Sequence, residues 1–252
     1  MDSDSPLGPA TGADAAAESP LGSALNFAYE QALAYRDGAL ADYIPELSRA
    51  DPEGFGLAIA TTRGGQYAVG DSRTPFTIQS VSKAYTYCLA IELAGQQTVL
   101  EHVGVEPSGD PFNAIEFDPR TSRPYNPMVN AGAIAITGIL HERLGESAFD
   151  FILDRFSSAA GRPLSVNEAV YRSERDTGHR NRAIGHLLLA AGAIRGQVDA
   201  ITDLYFRQCS IEVTAEDLAW MSATMANLGE HPVTEQPVFN LRAVRDTQAV
   251  ML

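Results

Sequence analysis

The sequence predicts a mixed α/β fold of the α+β kind, with its strands and helices in separate runs along the chain. Two observations carry that class. One β-hairpin pattern occurs early, and from about residue 80 onward nearly every periodic segment is helical. A two-stranded hairpin is marginal by itself, so this one must pack against helices.

The elements follow in order. Residues 1–22, rich in Ala, Ser, Asp, Pro and Gly, read as a disordered tail. A helix is expected from Ser23 to about Gly38, burying Leu25, Tyr29 and Leu33. "FGLAIATTRGGQYAVGD" reads as strands near 55–61 and 66–70 about a turn at Arg63-Gly64-Gly65. A long apolar helix then runs to about Ala94, and the Pro-, Gly-, Asp- and Asn-rich stretch 104–127 reads as a long loop. "AGAIAITGILHERLG" is apolar all round in its first two turns, which predicts a buried helix ending at Gly145. A short helix over 147–158 presents Phe149, Ile152 and Phe156. Ser165 with Glu168 has the spacing of a capping box. "HRNRAIGHLLLAAGAIRG" is a further apolar helix. Thr214 caps another, with Leu218, Met221, Met225 and Leu228 on one stripe and Gly229 after its end. No further clear strand is visible. The chain stops at "DTQAVML" inside an apolar helical pattern, which leads to the expectation that it is cut short.

Composition excludes several classes. With 32 acidic and 18 basic residues the net charge is −14, a surface that repels phosphate backbones, so nucleic acid is not an expected partner. No run of 18 apolar residues predicts a membrane span, and the first residues lack a signal-peptide pattern. Cys88 and Cys209 make no disulfide framework, so a cytoplasmic protein with reduced thiols is expected. His102, His141, His179, His186 and His231 show no ligand spacing, so no metal is expected.

Among 18 basic residues only one is Lys, and it is Lys83, in "IQSVSKAY". Arg stays charged in proteins, whereas burial readily lowers the pKa of Lys. A lone Lys in an Arg-using chain therefore points to proton transfer. Ser80 lies three residues before it, on the same helical face. A Ser hydroxyl is a poor nucleophile until a base takes its proton, and Ser-x-x-Lys is one arrangement that does this. The plain alternative for Ser80 is a helix N-cap.

"FTIQSVSK", "RPYNPMVNAGAIA", "YRSERDTGHRNRAI" and "DLYFRQCSIEVTAEDLA", with "ADYIPEL" nearer the start, together resemble the signature stretches of the serine-dependent glutaminases, from about residue 22 to the last. The resemblance implies a β-lactamase/transpeptidase-like fold, an antiparallel sheet packed with helices plus a helical region, in one domain over 23–252. It also implies hydrolysis of L-glutamine to L-glutamate and ammonia without a cofactor, by a homodimer or homotetramer. Ser80 becomes the nucleophile and Lys83 the group that activates it. Tyr43, Asn130, Glu174, Asn181 and Tyr205 join Ser80 as substrate-binding residues.

Four of these substrate-binding residues have a plainer reading. Glu174 sits among Arg172, Arg175, Arg180 and Arg182, as a solvated surface charge would. Asn130 precedes an apolar helix, as an N-cap would. Tyr43 and Tyr205 would serve as core residues with a satisfied hydroxyl.

Family members continue past "VML" into a Tyr-bearing segment and a Lys-Ser-Gly strand, which supply a proton-transfer group, an oxyanion contact and further strands. By that comparison the C-terminal strands are missing, and the 252-residue chain is expected to be weakly stable, with little or no activity. Two other readings are carried. One is a truncated, non-catalytic paralogue that binds an amino acid or a partner subunit. The other is a β-lactam-interacting serine enzyme, although Met128-Val129-Asn130 offers the Asn without the Ser of that motif.

Overall fold

The computed structural model describes residues 19–35, 37–107, 109 and 115–252. Residues 1–18 of the expected tail lie outside the described residues. Helix α1 is Pro20–Ala32, so the expected boundary after residue 22 falls inside its first turn. Ser19 sets this start. Its side chain accepts a hydrogen bond from the Gly22 N–H at 3.0 Å, and Pro20 brings the helical φ with no amide to satisfy. The helix is also shorter than expected, because its apolar stripe finds cover only as far as Leu33, and Tyr35 is exposed. Leu25 is buried, and the Tyr29 ring stacks on Phe55 at 5.3 Å.

The hairpin forms as expected. Strands β1 (Gly56–Ala60) and β2 (Gln66–Gly70) pair antiparallel, with Gly56 opposite Gly70 and Ala60 opposite Gln66. Gly64 takes a φ of +81° in the turn, a conformation only Gly adopts freely. The hairpin's cover comes from α1 and from a later helix, α9 below.

The remainder is helical, in α2 (Ser82–Ala94), α3 (Gln96–His102), α4 (Asn130–Leu144), α5 (Ala148–Ala160), α6 (Glu168–Thr177), α7 (His179–Ala190), α8 (Val198–Cys209), α9 (Ala215–Ala226) and α10 (Leu241–Met251). Helix α4 is the hub. It is buried from Ala131 to Leu140 and packs against α2, α7 and α8. Helix α10 lies on α2, burying Ala243, Val244 and Thr247. Glu92 secures that contact, since Oε1 pairs with Arg155 at 2.6 Å and Oε2 accepts from the Asn240 N–H at 3.0 Å. Phe149, Ile152 and Phe156 are all buried on α5. Of the expected loop over 104–127, residues 108 and 110–114 lie outside the described residues. The rest carries one isolated bridge, Phe117 to Pro124.

Several local expectations are corrected. There are further strands, β3 (Phe76–Thr77), β4 (Ser165–Val166) and β5 (Ile211–Val213), forming an antiparallel sheet in the order β3-β5-β4. At two or three residues each they are too short to show an alternating pattern. Ser165 is therefore a strand residue, and the N-cap of α6 is Asn167, whose side chain accepts from the Val170 N–H at 2.9 Å. Thr214 does cap α9, in a reciprocal capping box with Asp217. On that helix Met221 and Met225 are buried, whereas Leu228 lies beyond its end and is 62% exposed.

The small sheet carries functional weight. The Ile78 N–H donates to the Ile211 carbonyl at 2.8 Å, which fixes residues 76–78 against the segment leaving α8. The next residues along are Gln79 and Ser80. On the other side, the start of α4 is set by a close approach. A Cβ at Gly132 would stand 1.9 Å from the Asn126 carbonyl oxygen, so only Gly lets the 126–128 loop lie on this turn. Gly132→Ala should destabilise the protein by about 1–3 kcal/mol, the usual cost of overpacking. Thermal unfolding read beside activity should show a lower Tm and displaced chemistry at the adjacent Asn130.

Candidate active site

Six elements converge on one cavity of about 710 Å³. A 3-10 turn, Gln79–Val81, leads directly into α2 and places Ser80 and Lys83 one turn apart. The start of α4 brings Asn130, the end of α6 Glu174, the start of α7 Asn181, and the last turns of α8 Tyr205 and Cys209. Tyr43, just before a 3-10 turn at Pro45–Arg49, stands at the rim, 58% exposed. All seven residues singled out in the sequence line this one space.

A chain of hydrogen bonds joins four of them. Lys83 Nζ donates to Ser80 Oγ at 3.1 Å and to Asn130 Oδ1 at 2.7 Å, and Asn130 Nδ2 donates to Asn181 Oδ1 at 3.1 Å. Two plainer readings fall with this geometry. Neither Ser80 nor Asn130 is an N-cap, because those positions are Val81 and Val129, without side-chain caps. Ser80 Oγ faces the cavity, and Asn130, the first residue of α4, spends its amide on Lys83 and Asn181. Gln79 has a φ of +47°, a strained conformation for a non-Gly residue, immediately before Ser80. Strain of this kind persists where surrounding contacts over-determine the backbone.

Burial sets the electrostatics. Lys83 is 2% exposed, and loss of hydration lowers its pKa to about 8, with the fields of Cys209 and Glu174 opposing. Glu174, read as a possible surface charge, is 5% exposed, because α6 turns this side chain inward away from its arginines. Desolvation pushes its pKa up to about 8, offset in part by Lys83. Its Oε2 has no hydrogen-bond partner among the described residues. A buried carboxylate left with an open valence marks a place for a donor or cation from outside.

Tyr205 is buried, and its phenol pKa is raised by desolvation first and then by Cys209 and Glu174. The Tyr43 phenol is raised as well, by desolvation and by Glu174, and its hydroxyl donates to Gln79 Oε1 at 3.4 Å. Its exposure removes the reading of Tyr43 as a core residue. The Cys209 thiol is held protonated by burial and by the nearby Glu174 carboxylate. Of these groups, Lys83 alone is shifted toward an uncharged base near neutral pH, and the hydroxyl beside it belongs to Ser80.

Cys209, Gln79 and Arg180 also line the cavity and were not singled out in the sequence. Cys209 follows Tyr205 by four residues on one helix, so helical spacing alone places it on the same face. Gln79 and Arg180 each adjoin a predicted residue, and only the turn geometry shows which side chains turn inward. No group of three or more His, Cys, Asp or Glu among the described residues is arranged to hold a metal.

The family model for glutaminase matches residues 38–252. A protein named Glutaminase 1 from Bradyrhizobium diazoefficiens is 53% identical over 85% of this chain and 35% of its own length. One named Glutaminase from Nostoc sp. is 44% identical over 92% of this chain and 70% of its own. The chain thus spans about a third of the first relative and about two thirds of the second. A crystal structure of Mglu in its glutamate form superposes with a TM-score of 0.86 at 35% identity, covering 93% of this chain and 54% of that one.

The unusual state of Glu174 has a measurable consequence. The folded protein holds this carboxyl to about pH 8, whereas the unfolded chain releases its proton near 4.5. Folding therefore takes up a proton at Glu174 between those values, and stability falls as pH rises from 4.5 to 8. Glu174→Gln should stabilise the protein above about pH 5, read as a higher Tm, with a free-energy gain that grows to pH 8 and then levels at a few kcal/mol at most. Below pH 4 the two proteins should melt together. A Tm difference independent of pH would contradict the assignment.

Proposed function

The chain belongs to the glutaminase family, and from that membership we propose that it hydrolyses L-glutamine to L-glutamate and ammonia, with Ser80 as nucleophile and Lys83 as its base. The observation that carries this reading is the Lys83 amine, buried and 3.1 Å from Ser80 Oγ, sharing a cavity with the Glu174 carboxylate, whose Oε2 has no hydrogen-bond partner among the described residues. An amide-cleaving nucleophile and a receptor for an ammonium group stand in one space.

In its uncharged form Lys83 accepts the Ser80 proton as Oγ attacks the side-chain amide carbon of glutamine. Asn130 holds the amine in place, so its lone pair stays directed at Ser80. Collapse of the tetrahedral intermediate breaks the C–N bond. The proton held on Lys83 passes to the departing nitrogen, which leaves as ammonia, and a γ-glutamyl ester remains on Ser80. Water, giving up a proton to the same amine, cleaves the ester to glutamate and restores the Ser80 hydroxyl.

The rest of the cavity reads as a clamp for a free amino acid. Glu174 pairs with the α-ammonium, which completes the open valence of its Oε2. Asn181, Asn130 and the Tyr43 and Tyr205 hydroxyls supply neutral donors and acceptors, and Arg180 adds a positive charge to the lining. The same reading takes the protein to be a cytoplasmic homodimer or homotetramer. The two buried free thiols, Cys88 and Cys209, are in keeping with a reducing compartment. No helix among the described residues is long and apolar enough to cross a membrane.

Ammonia release from L-glutamine tests the proposal in the purified protein. Ser80→Ala and Lys83→Arg should each lower kcat by at least about a thousandfold. Because the base works only when uncharged, kcat/KM should rise with pH through an inflection near 8, the value to which burial brings Lys83. Equal turnover in Ser80→Ala, or a rate that falls as pH rises from 6 to 8, would overturn the mechanism.

A further inference from the structure

One fully buried polar side chain takes no part in the cavity yet is bonded toward it. Gln208, on α8, has no exposure. Its amide nitrogen donates to Ser82 Oγ at 3.0 Å and to Thr86 Oγ1 at 3.4 Å, both on α2. Its amide oxygen faces the Thr137 hydroxyl of α4 at 3.5 Å. A buried Gln is costly unless its amide is satisfied, and here two other helices, α2 and α4, supply the partners.

The direction of each proton follows from counting donors. Thr86 Oγ1 donates to the carbonyls of Ser82 and Lys83, at 3.1 and 3.2 Å, so toward Gln208 it is an acceptor. Ser82 Oγ donates its single proton to the Gln79 carbonyl at 2.7 Å, so it too accepts from Gln208. The Gln208 amide thereby fixes the rotor of the Ser82 hydroxyl, and that hydroxyl holds the carbonyl of Gln79. Residue 79 is the one at φ +47°, and its carbonyl carbon is bonded to the Ser80 nitrogen. A strained peptide of this kind relaxes unless something holds it.

We infer that Gln208 is a positioning residue, which acts through Ser82 to hold the strained Gln79 peptide and so keeps Ser80 Oγ aimed beside Lys83. The inference rests on the serine-nucleophile reading above for its effect on rate, though not for its effect on structure. Gln208 touches neither the cavity nor Ser80. The path runs from α8 through Ser82 to the backbone of residue 79, a distance of three bonds from the nucleophile's own side chain.

Gln208→Met keeps the length of the side chain and removes both N–H donors, and Ser82→Ala removes the link. In both, kcat for glutamine should fall about 10–100-fold, the scale of a nucleophile misplaced by about an ångström, while KM changes less than about threefold. The double variant should lose no more than the worse single one, because both act on one path. Deuterium exchange of the intact protein supplies the second readout. Amides of residues 79–83 should exchange about tenfold faster in either variant, with the hairpin at 56–70 unchanged. Additive losses, a rise in KM that accounts for the whole effect, or faster exchange spread evenly over the chain would overturn the inference. Should Gln208→Met fail to fold, Ser82→Ala decides alone by the same two readouts. If the unaltered protein releases no ammonia from glutamine, the proposed activity falls, and local exchange at 79–83 still decides the role of Gln208.

Discussion

The site depends on holding an amine out of water. Lys83 Nζ lies between Ser80 Oγ and Asn130 Oδ1, almost without solvent contact. Burial disfavours its charged form by roughly 3 kcal/mol relative to water, the free-energy equivalent of a pKa brought from 10.5 to about 8. That displacement brings the amine within reach of its uncharged, basic form near pH 8. It also explains why the position holds the chain's only Lys. An Arg there would keep its proton, and a buried guanidinium would need a counter-charge that Glu174, itself pushed toward neutrality, does not supply.

Holding the amine requires walls that do not move. Helix α4 provides one, buried along ten consecutive residues and seated by the close approach of Gly132 to the Asn126 carbonyl. The short sheet of β3, β5 and β4 provides another, since it ties the backbone before Gln79 to the end of α8. Two strands of two residues and one of three contribute little cohesion as a sheet. Their value is registration: they set Ser80, in the turn that leads into α2, against Tyr205 and Cys209 on α8. The polar contacts of Gln208 cross the same junction from within the core. Rigid elements of this kind place side chains more accurately than loops do.

Glu174 and Lys83 form a pair in which each opposes the other's shift while desolvation drives both toward the uncharged form. The cavity therefore rests between two states, one charge-separated and one neutral. An arriving ammonium group favours the ionised carboxylate, and the amide to be cleaved meets an uncharged amine. Cys209, in the same lining, is kept from competing as a nucleophile by the burial that keeps its thiol protonated.

Much of this was legible in the residues alone. Helical spacing put Ser80 and Lys83 on one face, composition made Lys83 stand out, and apolar periodicity located α2, α4, α5 and α9 within a few residues. Ordered motifs named seven of the side chains that the fold later gathered, and passed over Cys209, Gln79 and Arg180. Local pattern failed where a feature depends on partners distant in sequence. The three short strands have no period to read, and Ser165 fell into one of them, although its spacing to Glu168 looked like a cap. Glu174 is flanked by arginines and is nonetheless buried, because which face of α6 turns inward is decided by its packing against α8 and the 45–49 turn. The strain at Gln79, the protonation of Cys209 and the reach of Gln208 likewise come only from tertiary contact. The sequence by itself determined which chemical groups exist and where helices run, since those follow from side-chain type and local spacing. Tertiary structure decided which of those groups lose water and which stand within hydrogen-bond reach, because desolvation and distance are set by elements that meet only when the chain is folded.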